Sequence, residues 1–194
     1  MKVIGLNGSP RRGGNTDILL AEVMRGVGSE GVESETIFLS ELHIAPCTHC
    51  DGCLTTGQCI IIDDMQAVYK QLESADRIVI ASPLHFMGLT AQMKGAVDRC
   101  QALWSRKYRL KIPPLGDNRQ RYGIYVGVGG RRLEKSFDGA IETVRSLFFV
   151  LNVTWLGALT FSGVDEKGAI LKVPGALEKA FEVGENLVKA APPA

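Results

Sequence analysis

Five short runs rich in β-branched and apolar residues recur along the chain, and each is followed by a longer segment with apolar residues at helical spacing. Lys2 to Leu6, Glu33 to Leu39, Arg77 to Ala81, Tyr122 to Val128 and Val153 to Phe161 read as strands. Asn15 to Arg25, Asp64 to Ser74, Thr90 to Trp104, Phe137 to Val150 and Gly175 to Lys189 read as helices, and Gly26, Gly28 and Gly31 are expected to stop the first of them. Repeated strand–helix alternation in one domain implies a parallel sheet with right-handed crossovers and helices on both faces. The expected fold is therefore α/β, a three-layer α/β/α sandwich over residues 1–194.

Composition narrows what such a chain does. Hydrophobic residues make up 45% and charged residues 22%, which excludes disordered and fibrous classes. With 22 Lys and Arg against 21 Asp and Glu, the net charge of +1 offers no field for a polyanion, so no nucleic-acid partner is expected. The most apolar stretch, Leu147 to Phe161, is broken by Asn152, Thr154 and Gly157 and falls short of the roughly 20 residues of a membrane span. The opening residues lack the core and cleavage site of a signal peptide. No membrane association and a cytoplasmic location are the expectations.

Two segments are too long for ordinary connections: Leu42 to Asp63 and Ser105 to Arg121. The second carries Arg106, Lys107, Arg109, Lys111, Arg119 and Arg121 against Asp117, and reads either as a solvated linker or subunit contact or as a surface steering an acidic partner. Arg131-Arg132 suits a nicotinamide phosphate or plain solvent.

After the first strand comes Asn7-Gly8-Ser9-Pro10-Arg11-Arg12-Gly13-Gly14-Asn15-Thr16, leading into a helix. A strand, a glycine-rich turn and a helix N-terminus together direct free N–H groups at one anion, which makes this a phosphate site. Ser9, Asn15 and Thr16 can add side-chain donors, and Arg11 or Arg12 a charge-assisted contact. The alternative is a simple turn and cap with its arginines in water. The turn is neither a Walker A sequence nor a G-x-G-x-x-G fingerprint.

Four of five cysteines, Cys47, Cys50, Cys53 and Cys59, fall in a C-x2-C-x2-C-x5-C pattern within the loop 43–63. Steps of three let a short loop wrap a 4Fe-4S cubane, with the fourth thiolate closing the far corner. Structural zinc, or cysteines with no metal at all, are the alternatives. His49 reads as an outer donor or an exposed residue rather than a ligand, and Cys100 as a buried small apolar residue. Phe148, Phe149 and Trp155 suit either a subunit interface or the core, and the core is the expectation.

The turn Asn7 to Thr16, with Ser82-Pro83-Leu84-His85-Phe86-Met87-Gly88 and Gln92-Met93-Lys94 after the third strand, resembles the NADPH-dependent FMN reductase and multimeric flavodoxin-like family. The resemblance implies a flavodoxin-like fold with strand order 2-1-3-4-5 and FMN at the switch point between strands one and three. It implies that Ser9, Arg11, Asn15 and Thr16 hold the phosphate, with Arg12 as the alternative arginine. Pro83, Leu84, His85, Phe86, Met87 and Gly88 would lie along the flavin ring, and Gly127 to Gly130, Gly129 and Gly130 above all, along its other edge. Relatives often carry Tyr or Trp where His85 and Phe86 stand, so the side chain that touches the ring is left open.

The complete cysteine pattern and the following Asp63-Asp64-Met65 are similar to the iron-sulfur flavoprotein branch of that family. This implies Cys47, Cys50, Cys53 and Cys59 as ligands of a 4Fe-4S cluster. It also implies ferredoxin or NAD(P)H as electron donor and a homodimer or homotetramer. Asp63 reads as a helix cap and Asp64 as a first-turn carboxylate. No acid/base residue is assigned, because a redox protein of this kind positions and tunes its cofactors. An NAD(P)H-dependent FMN or quinone reductase lacking a cluster, and a zinc-stapled binding module, are the other classes.

Overall fold

The computed structural model describes residues 1–133 and 135–191. Five parallel strands, β1 (Lys2–Asn7), β2 (Glu33–Phe38), β3 (Arg77–Pro83), β4 (Arg121–Gly129) and β5 (Val153–Ser162), lie in the order β2-β1-β3-β4-β5. The connecting helices are α1 (Asn15–Ser29), α2 (Met65–Ser74), α3 (Ala91–Arg99), α4 (Gln101–Tyr108), α5 (Asp138–Leu151) and α6 (Ala176–Lys189). Successive side chains of a strand face opposite layers, and the core divides accordingly. Ile4, Leu6, Ile78, Ile80 and Tyr125 pack under α2 to α5, whereas Val3, Val79, Ile124, Val126 and Val128 pack under α1 and α6. The three-layer sandwich and its strand order match the sequence expectation.

Helix boundaries depart from it in two places. The first helix continues past Gly26 and Gly28 to Ser29. Gly26 does not end it because α6 lies against it there: a Cβ on Gly26 would stand 2.1 Å from the Phe181 carbonyl oxygen, and one on Gly184 2.1 Å from that of Val23, whereas Gly28 faces open space. The single helix expected over Thr90 to Trp104 is two, turning at Cys100. Cys100 is buried as expected. Phe148 is core and Trp155 packs against it, but Phe149 is 69% exposed, since neighbouring helical residues point about 100° apart.

The basic segment Ser105 to Arg121 begins as the last turn of α4 and continues as a strap across the amino edge of the sheet. Arg121 is buried and donates to the carbonyl oxygens of Ala75 and Glu73 (both 3.0 Å) while pairing with Asp117 (2.8 Å). Arg119 pairs with Asp76 (3.0 Å), Arg106 with Glu73 (2.5 Å), and Lys107 donates to the Phe149 carbonyl. Four of its six cations are thus engaged in holding the fold, which weakens the reading of this segment as a steering surface. No helix among the described residues is long and apolar enough to cross a membrane.

Gly184→Ala tests the α1–α6 contact. On an open helix the change gains about 1 kcal/mol of propensity, whereas overpacking against backbone costs about 1–3 kcal/mol. Chemical denaturation is expected to show a net loss, and unchanged or higher stability would refute the close approach.

Candidate functional site

In a parallel sheet every strand-to-helix connection emerges at the carboxyl edge, and two of these connections, after β1 and after β2, carry the candidate sites. The turn after β1 is tightly determined. Asp17 accepts from the Gly13 N–H (2.7 Å) and from the Asn7 side-chain amide (3.1 Å), and Asn7 in turn accepts from the Ser9 N–H (2.8 Å). Gly13 has φ +65°, and Gly14 sits at the helix N-cap without a capping side chain. A Cβ on Gly14 would lie 3.0 Å from the Arg11 carbonyl oxygen. The N-terminus of α1 thus has no side-chain cap, and buried Ser9 and Thr16 lie beside it, an arrangement of the kind that binds anions.

The two arginines separate. Arg11 lines the hollow over the turn together with Ser9, Asn15, Thr16, Pro83, Leu84, His85 and Gly130. Arg12 turns away, pairing with Glu41 (2.9 Å) and stacking 3.3 Å above the Phe38 ring. Asn15 lines the hollow but spends its amide on structure, donating to the Glu166 carbonyl (2.9 Å) and accepting from the Ile170 N–H (3.2 Å). That tie brings in two residues the sequence reading missed, Asp165 and Lys167. The Lys167 ammonium lies 3.7 Å from where a Gly13 Cβ would be, directly at the turn. Nothing local marks it, because it lies more than 150 residues from the turn it approaches.

The segment after β3 is a tight hairpin in which His85 and Gly88 exchange both backbone hydrogen bonds at 3.0 Å. Its tip residues, Phe86 and Met87, have φ +50° and +65°. Such left-handed conformations cost a bulky residue about 1–2 kcal/mol each. Phe86 is fully exposed, and neither it, Met87 nor Gly88 lines the hollow. Gly129 is covered by Leu84, 3.0 Å from its would-be Cβ.

All four clustered cysteines line a second hollow of about 500 Å³, closed on its other side by Arg99, Gln101, Ala102 and Trp104. The loop wraps it with left-handed backbone at His49, Asp51 and Gly57. Burial pushes the Cys53 thiol up, and the neighbouring Cys59, Cys47 and Cys50 thiols push it further. His49 is exposed, 3.8 Å from Asp51. Among the described residues no three His, Cys, Asp or Glu side chains are arranged to close on a single metal ion.

The base of this loop is clamped. Asp63 accepts from the Ala45 N–H (2.9 Å) and the Met65 N–H (3.0 Å), and Asp64 accepts from the His43 N–H (2.7 Å). Asp63 thus caps α2 as the sequence suggests, but its stronger tie is to buried Arg99, at 2.6 and 3.1 Å. Burial pushes Asp63 up, yet Arg99 and the two N–H groups bring it below the usual carboxylate range. For Arg99, burial acts to lower the pKa, and Asp63 and the Cys59 thiol outweigh it and keep the guanidinium charged.

A 2-1-3-4-5 parallel sheet with helices on both faces and a glycine-rich turn where β1 meets α1 defines a flavodoxin-like protein. Comparison takes the identification further: the chain belongs to the NADPH-dependent FMN reductase family, which its residues 1–163 match. By family it is an FMN-dependent oxidoreductase. It is 35% identical over 157 residues to an iron-sulfur flavoprotein of Methanocaldococcus jannaschii, covering 81% of this chain and 76% of that protein. It is 33% identical over 147 residues to an iron-sulfur flavoprotein of Methanosarcina thermophila, covering 76% and 71%. A solved flavone reductase shares the fold at TM-score 0.75 and 21% identity, over 98% of this chain and 62% of that longer one. An NAD(P)H:quinone oxidoreductase from Methanothermobacter marburgensis does so at 0.68 and 17%, over 100% and 99%.

Because Asp63 is depressed in the folded state, its contribution is present above the ordinary carboxylate pKa and lost as pH falls through the depressed value. Asp63→Asn, which breaks a largely buried pair, is expected to cost about 3 kcal/mol near neutral pH. The stability gap to wild type should close as the medium is acidified. A gap independent of pH would contradict the clamp.

Proposed function

We propose that this chain is an iron-sulfur flavoprotein that passes electrons between a ferredoxin or NAD(P)H donor and an acceptor, using FMN and a 4Fe-4S cluster. The observation that carries this reading is the convergence of Cys47, Cys50, Cys53 and Cys59 on one hollow, in a chain whose β1–α1 turn has the form of a phosphate site. The donor set fits the cluster. Four crowded thiols repel one another as thiolates and call for a cationic core, and a hollow of about 500 Å³ suits a polynuclear centre better than a single tetrahedral ion. The names of the relatives point the same way.

In this reading Ser9, Thr16 and the first-turn N–H groups of α1 hold the FMN phosphate, with Arg11 and Lys167 supplying charge from two sides. Asn15 sets the distance between the turn and the β5–α6 connection. Pro83, Leu84, His85 and Gly130 line the way out toward the ring, and Phe86, Met87 and Gly88 form a rim whose strained, exposed tip is available to a flat ligand. Bound flavin would take up two electrons together and release them singly, and the cluster would carry one at a time. The chain's own part is to position both groups and to tune them. Exposed Ile62, Phe86 and Phe149 supply apolar surface for a homodimer or homotetramer.

Two experiments test the assignments. Cys53→Ser is expected to strip iron while FMN stays bound, and full iron retention would remove Cys53 from the ligand set. A charge-assisted hydrogen bond contributes about 1.5–3 kcal/mol. Arg11→Ala should therefore weaken FMN binding by roughly 10- to 100-fold without changing riboflavin binding, and Arg12→Ala should leave both nearly unchanged. The reverse pattern, read by flavin fluorescence quenching, would overturn the phosphate assignment.

A further inference from the structure

Arg99 ends α3 with a side chain that solvent does not reach, and its five N–H bonds can be followed individually. Nη1 donates to the Ala45 carbonyl (2.9 Å) and to Asp63 Oδ2 (2.6 Å). Nη2 donates to the Ile61 carbonyl (3.0 Å) and to Asp63 Oδ1 (3.1 Å). Four donors thereby join the segments on either side of the cysteines. The fifth, Nε–H, is buried and has no partner among the described residues. Leaving such a donor unpaired is costly in a buried setting, an unusual feature in a group otherwise so fully satisfied. Arg99 lines the same hollow as the four cysteines, and of these Cys59 is the thiol that acts on its guanidinium.

We infer that the Nε–H of Arg99 is kept for a sulfur of the bound cluster, the Cys59 thiolate or a sulfide, so that Arg99 is a positioning residue that also raises the cluster's reduction potential. The inference rests on the iron-sulfur reading above. A hydrogen bond to a cluster sulfur favours the more negative, reduced form, and hydrogen bonding to sulfur is among the factors that set such potentials. A clamp alone would need only the four donors already engaged. A lysine at this position keeps the charge and can still reach Asp63, but it lacks the Nε donor of the planar fork.

The test is an anaerobic redox titration followed by electron paramagnetic resonance, on reconstituted wild type and Arg99→Lys, with bound FMN as the internal reference. The cluster midpoint should shift to lower potential in Arg99→Lys while the flavin midpoint stays in place. Because the variant can lose its loop, a second measurement uses wild type grown on [15N]arginine. Its reduced cluster should show a 15N coupling in pulsed spectra, and the coupling should persist in Arg109→Lys, which alters the other arginine of the hollow. A loaded Arg99→Lys with an unmoved midpoint, a wild-type cluster without 15N coupling, or a coupling lost with Arg109 would each overturn the inference. Wild type that takes up no iron or sulfide would instead defeat the iron-sulfur reading, and the inference with it.

Discussion

The direction of the strands governs the molecule. When all five run parallel, each passage from strand to helix lies at one edge of the sheet and each return passage at the other. The anion turn, the cysteine loop and the hairpin at Pro83 to Gly88 therefore share the carboxyl edge, where helix N-termini also point their positive ends. The two long connections leave and enter the sheet at opposite edges but meet along α4, where Ser105 donates to the Cys53 carbonyl (2.8 Å) and Arg106 to that of Gly57 (2.9 Å). The cysteine segment follows β2 and belongs to the functional edge. The basic segment precedes β4, at the opposite edge, and its arginines fasten Glu73, Ala75 and Asp76 to the rest of the chain.

Long irregular loops are costly to order, and the loop over 43–63 meets that cost by anchoring both ends. Asp63, Asp64 and Arg99 tie its entry at His43 and Ala45 to its exit at Ile61. Between these points the backbone takes left-handed turns at His49 and Asp51, and Ser105 and Arg106 of α4 hold it at the Cys53 and Gly57 carbonyls. At the anion turn, Asp17 and Asn7 do the equivalent work over a shorter span. Both sites thus depend on carboxylates that touch no ligand in this account.

Periodicity made the strands, most helices and the layer order readable, because spacings of two and of three to four report which face of an element is buried. The cysteine pattern and the glycine turn were also visible, being local in sequence. What was not visible depends on distance along the chain. Gly26 does not end α1 because α6, some 150 residues later, packs on it. Arg11 and Arg12 are equivalent in spacing and are told apart by Glu41 and Phe38. The Asp63–Arg99 pair joins residues 36 positions apart. Lys167 reaches the anion turn through a connection fixed by Asn15. Phe86, one of the residues the resemblance lays along the flavin ring, stands fully exposed at the tip of a hairpin whose closure depends on the His85–Gly88 pairing.

The central claim is that one chain holds both a flavin nucleotide and an iron-sulfur centre at adjoining connections of its sheet. The most direct test is quantitative analysis of anaerobically purified, reconstituted protein for FMN, iron and acid-labile sulfide, together with its visible spectrum. One FMN, four iron and four sulfide per chain are expected, with broad iron-sulfur absorption beneath the flavin bands. Protein that carries FMN but neither iron nor sulfide, or zinc in place of iron, would contradict it.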